Sequence, residues 1–311
     1  MIDSRLHVLR MVAAQGTVTA AAKALDYTPS AVSHQLRSLS RELGVTLLVQ
    51  EGRGVRLTPA ARALLSHADE LYARWEEIRA ELAEASGEGL GILRLCGFST
   101  AAAALLPSVA VRLRTTHPDT VVQVIEADPE ECFHLLLADK ADVAVVVATS
   151  SLPPSMDPRF DQQLLMEDPL DVLLPLEHRL AGERSVRLSQ TATDRWILDR
   201  PGRPYHQLVL TACAAAGFTP AIAHQITEWE TAAALVAAGL GVALIPRLAH
   251  LPAGYPIARV PLSGDPTPAR HLLTGVRAGS SRQPEIASAL EALKDTAART
   301  LQTRNDPGPP R

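Results

Sequence analysis

Aromatic residues make up only 4% of the 311-residue sequence, too few for a nucleic-acid binder built on stacked rings. Cysteine is scarcer still. Cys96, Cys132 and Cys213 are widely spaced and form no CxxC pair, which speaks for a reducing compartment and against a zinc site, so no metal is expected. No apolar run reaches about 18 residues without a charge, proline or polar break, so no membrane span is expected. The start, Met1-Ile-Asp-Ser-Arg-Leu-His7, lacks a basic and an apolar leader region, and the expected location is the cytoplasm. A G-x-S-x-G elbow, a P-loop, a G-x-G-x-x-G after the first strand and an H-E-x-x-H helix are also missing. An enzyme therefore has no motif to rest on, and no cofactor is called for.

What is present suits folded cores. Hydrophobic residues are 47% and charged residues 21%, and the length predicts two or three domains. The net charge of −4 is unevenly spread. Residues 1–65 carry eight Lys/Arg against four Asp/Glu, whereas residues 66–90 carry two against seven. A basic first segment followed by an acidic one is expected when only the amino-terminal module meets a polyanion.

That module reads as three helices and a hairpin. Leu6, Leu9, Val12 and Ala13 have helical spacing and Gly16 ends the first helix. Thr17 caps a second helix through Leu25. Pro29 opens a third, which runs through Ala31, Val32, Leu36 and Leu39. Thr46–Val49 and Gly54–Leu57 pair as short strands around a glycine-containing tip. The sum is a winged helix-turn-helix.

Thr58-Pro59 then opens a long helix. Ala61, Leu64, Ala68, Leu71, Trp75, Ile78 and Leu82 alternate gaps of three and four, a heptad seam that calls for a partner helix, most simply that of a second subunit. The alternative is packing on its own domain. Ser86–Gly91 breaks the helix. Beyond it, apolar strands at 92–96, 121–125, 143–147, 170–174, 197–198, 222–226, 242–245 and 271–274 alternate with helices at 101–114, 130–138, 205–216, 229–238 and 285–298. This alternation predicts parallel α/β sheets, two small ones, with Leu164–Leu174 and Tyr255–Arg270 crossing between them.

Gly16-Thr-Val-Thr-Ala-Ala-Ala-Lys-Ala-Leu25, Thr28-Pro-Ser-Ala-Val-Ser-His-Gln-Leu36, Glu42-Leu-Gly-Val-Thr-Leu-Leu48 and Arg53 with Val55-Arg-Leu-Thr58 closely resemble the DNA-binding domain of LysR-type transcriptional regulators. Gly91-Ile-Leu-Arg-Leu95, Leu105-Leu-Pro107 and Val236-Ala-Ala-Gly-Leu-Gly-Val-Ala-Leu-Ile-Pro246 resemble that family's effector domain, so the likeness spans nearly the whole chain. Where Leu9 and Leu48 stand, the family usually has aromatic residues. Leu39-Ser40 replaces a Leu-Glu pair, Ala61 a glycine, and Gln50 an arginine, which removes a phosphate-contacting cation. Pro29 stands where many members have a base-reading glutamine.

The resemblance implies a mixed fold: a mainly α winged helix-turn-helix (1–58), a linker and dimerisation helix (59–86) and a two-lobed α/β effector domain (87–301) like periplasmic binding proteins. Lobe 1 is expected over about 91–163 and 268–301, lobe 2 over about 164–267, and a disordered tail over 302–311. It also implies homodimers that pair into tetramers through the effector domains, with RNA polymerase as a candidate partner. In such a motif the second helix enters the major groove of double-stranded DNA. Thr28, Pro29, Ser30, Ser33, His34 and Arg37 are the candidates to face bases, although Thr28 and Ser30 also serve as helix caps. Thr17, Thr19, Gln35 and Arg53 are candidates for the backbone, with Arg53 at the hairpin tip. Leu64, Ala68, Leu71, Trp75, Ile78 and Leu82 would form the dimer seam.

A small-molecule effector would sit between the lobes. Ser99 and Thr100, after the first strand, lead the candidates, joined by Thr149, Gly202, Arg203, Thr227 and Glu228. Free N–H groups at helix starts suit a carboxylate, and Arg203 would add charge unless it is a solvated loop residue. Glu228 would suit a cationic or hydroxylated effector. A cysteine-based redox sensor of the same fold is the rival reading, with Cys213 its candidate thiol. A cytoplasmic enzyme and a transport protein are weaker rivals.

Overall fold

The computed structural model describes residues 2–52, 54–87, 89, 91–264 and 267–305, the side chains of 301–305 excepted. Its first three helices each open on a side chain that accepts a first-turn N–H. Asp3 caps α1 (Ser4–Gln15), Thr17 caps α2 (Val18–Ala24) and Thr28 caps α3 (Pro29–Leu43). The hairpin of β1 (Leu48–Glu51) and β2 (Gly54–Leu57) forms the wing. β1 starts at Leu48 rather than Thr46, because the Thr46 carbonyl accepts the Thr58 hydroxyl at 2.7 Å. Val8, Leu9, Val12, Val32, Leu36, Leu39 and Leu47 make the buried core of this domain. Burying such side chains contributes roughly 1.5–3 kcal/mol each.

Thr58 caps α4 (Pro59–Ser86), with Pro59 in its first turn. Lobe 1 follows with β3 (Ile92–Gly97), α5 (Ser99–Ala104), α6 (Leu106–Thr116), β4 (Val121–Glu126), α7 (Pro129–Leu137) and β5 (Val143–Val147). The helix expected over 101–114 is thus two. It breaks at Leu105, and Pro107, which has no N–H to give, falls in the first turn of α6. Next comes β6 (Phe160–Pro175), then lobe 2 with β7 (Val186–Arg187), β8 (Arg195–Asp199), α8 (Pro204–Ala215), β9 (Ala221–Ile226), α9 (Trp229–Ala237), β10 (Ala243–Pro246) and β11 (Ile257–Ser263). The chain returns through β12 (Ala269–Arg277) and ends in α10 (Pro284–Asn305). Residues 302–305, expected in a disordered tail, therefore extend α10, while 306–311 lie outside the described residues.

The sheets correct one expectation. β3 is parallel to β4 and β5, and β8 to β9, but β12 and β6 run antiparallel between the two lobes. β6 pairs with β12 along Phe160–Pro169 and with β10 and β11 along Leu170–Pro175. One strand thus ties the lobes into a mixed sheet in place of two separate parallel ones, and residues 164–169, expected in lobe 2, pair in lobe 1. Two glycines of the segment Val236–Pro246 have definite work. Gly239 leaves α9 at φ +73°, and a Cβ on Gly241 would lie 2.7 Å from the Arg195 carbonyl oxygen.

Candidate nucleic-acid interface and effector cleft

The amphipathic pattern of α3 decides what it can present. Val32, Leu36 and Leu39 are buried against α1 and α2, which leaves Pro29, Ser30, His34 and Arg37 exposed along the opposite face. At its start the Thr28 hydroxyl accepts the Ala31 N–H at 3.2 Å and meets the Ser30 hydroxyl at 3.0 Å. Arg37 Nε donates to the Ser33 carbonyl at 3.2 Å, which steadies the guanidinium over the face. Thr17 caps α2 by accepting from Ala20 at 3.1 Å, and Thr19 is exposed two residues further, in the first turn of α2. Ser33 and Gln35 are half-buried at the edges of the face. Arg53 lies outside the described residues. Arg41, also exposed, extends the line of Arg37 by another turn. It was not among the expected contacts, although its i+4 spacing from Arg37 places it on the same face.

Between the lobes, the ends of β3 and β5 bring Phe98, Ser99, Thr100 and Thr149 to one edge of lobe 1. Across from them stand Tyr205, at the start of α8, and Trp229, at the start of α9. Trp229 Nε1 donates to Thr100 Oγ1 at 3.3 Å, a hydrogen bond that joins the two lobes. The Tyr205 and Trp229 rings pack edge to face at 4.8 Å, and the Tyr205 hydroxyl donates to the Leu244 carbonyl at 3.0 Å. Behind Phe98 the buried Arg270 guanidinium lies 5.2 Å from the ring and is held by Asp168 at 2.7 Å. That pair sits on the two crossing strands β6 and β12, and Asp168 also accepts the Leu248 N–H at 2.8 Å.

Two family profiles cover nearly all of the chain. Residues 4–62 match the bacterial regulatory helix-turn-helix protein of the lysR family, and residues 86–298 match the LysR substrate binding domain. The chain belongs to the LysR family of transcriptional regulators. The probable HTH-type transcriptional regulator LrrA of Synechococcus elongatus is 29% identical over 300 residues, covering 94% of this chain and 97% of that protein. The HTH-type transcriptional regulator ShiR of Corynebacterium glutamicum is 31% identical over 245 residues, 75% of this chain and 81% of that one. Full-length OxyR C199D from Pseudomonas aeruginosa shares the fold with a TM-score of 0.67 at 24% identity, covering 94% of this chain and 95% of that one. Full-length CbnR, solved in complex with its target DNA, has a TM-score of 0.56 at 20% identity, covering 94% and 99% of the two chains.

Within this LysR-type regulator some expected residues take other roles. Leu64 and Ala68 do not face outward along the seam. Leu64 packs on the winged-domain core and Ala68 is buried, because the first turns of α4 lie against that domain. The outward apolar residues are Leu71 at 53%, Trp75 at 38% and Leu82 at 58% exposure, with Ile78 half-buried. Arg203 is neither free nor simply solvated, since its Nε binds Asp199 at 2.9 Å and its charge is compensated there. Thr149 bonds the Ser151 hydroxyl at 2.9 Å, Gly202 lies in an exposed turn, Thr227 is half-buried and Glu228 is exposed before α9. Phe98, Tyr205, Trp229 and Arg270 were missed. The signal for two of them was the scarcity of rings, since the chain has only three Trp and four Tyr and spends one of each on a helix start.

Proposed function

We propose that two copies of this LysR-type regulator pair along α4, hold their two α3 helices over successive major-groove faces of double-stranded DNA, and respond to a small molecule held between the lobes. The outward row of Leu71, Trp75, Ile78 and Leu82 supports the pairing, since apolar area of this kind is stabilised by a facing helix. Ser30, His34 and Arg37 read bases, with Thr17, Thr19, Gln35 and Arg53 on the backbone. Outward Val111 on α6, Val121 and Val124 on β4, and Ile222 on β9 supply edges for effector domains to join dimers into tetramers. RNA polymerase is the partner through which the bound assembly acts. No catalytic step, metal or cofactor enters the proposal.

The single observation that carries the effector reading is the Thr100–Trp229 hydrogen bond. A ligand that replaced it would bind lobe arrangements unequally, which is what allows it to shift the assembly. Sensing is assigned to this cleft rather than to thiols. All three cysteines are buried, and burial pushes Cys213 up to about 12, which leaves almost no thiolate at neutral pH. A thermal-shift screen of small carboxylates, amino acids and aromatic acids tests the assignment. At least one compound should raise the midpoint of the wild type and lose that effect in Trp229→Ala and Thr100→Val. Undiminished shifts in both variants would place the ligand elsewhere.

A further inference from the structure

Lobe 1 touches the DNA-binding domain directly. Lys140 Nζ, in the turn between α7 and β5, lies 2.7 Å from Asp26 Oδ2, in the turn between α2 and α3. Asp26 stands just ahead of Thr28, the cap of the helix that faces DNA in the reading above. Among the described residues, Asp26 and Asp139 are the two non-glycine positions with positive φ, both at 56°, and they lie on either side of this contact. Each ends its helix in the left-handed conformation, where aspartate is tolerated, and the next N–H closes back on the helix, Tyr27 on the Ala22 carbonyl at 2.8 Å and Lys140 on the Leu135 carbonyl at 2.9 Å.

The turn that carries Lys140 is held from behind. Arg277 Nη1 donates to the Ala141 carbonyl at 2.6 Å and the Leu136 carbonyl at 3.4 Å, and Nη2 donates to Asp142 at 3.0 Å. The same guanidinium binds Glu76 of α4 at 2.9 Å. Lys140 is therefore presented from a clamped backbone, whereas the pair itself is superficial, with Asp26 78% and Lys140 37% exposed. A surface pair of this kind does little for folding. Its position matters more. An uncompensated carboxylate ahead of the helix would repel phosphates within the screening length of about 8–10 Å.

We propose that Lys140 is a positioning residue for DNA binding: from lobe 1 it neutralises Asp26 beside α3, so that DNA affinity depends on this contact from lobe 1 as well as on α3 itself. The inference rests on the reading of α3 as the DNA-facing helix.

A double-mutant cycle on the full chain tests it, using fluorescence anisotropy with a duplex selected by the wild type. Lys140→Ala should weaken binding about 1.4-fold to fivefold at low salt, the range of an exposed pair. The loss should shrink at high salt, and Lys140→Arg should bind as the wild type does. Asp26→Asn should bind at least as tightly as the wild type, and adding Lys140→Ala to it should cost nothing further. Because both side chains are on the surface, thermal midpoints should not move. An equal loss in both backgrounds would mean that Lys140 acts on DNA itself and would overturn the inference. So would unchanged affinity of Lys140→Ala for a duplex that the wild type binds. Failure of the wild type to select any duplex would instead overturn the underlying reading of α3.

Discussion

Glu76 of α4 and Arg277 of β12 meet at 2.9 Å with side chains only 7% and 10% exposed. Gln283 Nε2 completes the carboxylate at 2.6 Å, so the linker helix is fastened to lobe 1 by a buried, hydrogen-bonded ion pair. Burial alone would lower the Arg277 guanidinium, but Glu76, Asp139 and Asp142 hold it above its ordinary value. Removing one partner strands the other. Glu76→Ala is expected to destabilise the chain by about 3–5 kcal/mol in urea unfolding, and Arg277→Met should cost at least as much, because it also strands the buried Asp142 and the Ala141 carbonyl.

The split along α4 separates association from folding. Leu71→Asp and Trp75→Glu should yield monomers in sedimentation velocity with the winged domain intact. Ala68→Asp should instead lower the unfolding midpoint, because it places a charge in a buried site of its own subunit. Persistent dimers in the first two variants would remove the pairing along α4.

Roles on the DNA face are separable by competition. His34→Ala should change the ranking of operator variants, at about 1–3 kcal/mol for the position it reads. Arg53→Ala should weaken all duplexes about equally and reduce the salt slope by about 1. Equal losses at every site in both variants would contradict the division.

Acid should loosen the packing of α1 on α4, where the His7 and Tyr72 rings lie 6.1 Å apart. Burial lowers the pKa of His7, an effect that Asp139 opposes and that Arg10 and Arg277 reinforce. Its Nδ1 is buried without a partner. The unfolded chain takes up a proton near 6.5 that the folded chain refuses, so stability is full above that pH and falls as pH drops below it. Burial shifts His134 the same way. The urea midpoint should therefore decline between about pH 7 and pH 5, and His7→Phe should make the decline shallower.

Local chemistry was what the sequence made legible. Thr17, Thr28 and Thr58 are caps, Pro29 and Pro59 sit in first turns, and the heptad spacing marks α4. The lobe 1 half of β6 was hidden because Asp161-Gln-Gln-Leu-Leu-Met-Glu-Asp168 shows neither alternation nor an apolar run. The tail of α10 was hidden by polar residues with no capping signal. Contacts such as Thr100–Trp229, Lys140–Asp26 and Glu76–Arg277 join residues far apart in the chain, so no spacing could have announced them. The same tertiary placement turned Leu64 and Ala68 inward from a seam that the heptad alone makes continuous.

Hydroxyl-radical footprinting of the full chain on a duplex selected from a random pool tests the central claim most directly. The account predicts two protected half-sites on one face of the duplex, with centres about one helical turn (~34 Å) or a whole multiple apart. A chain that selects no duplex above random competitor, with and without the compounds that shift its thermal midpoint, would contradict it.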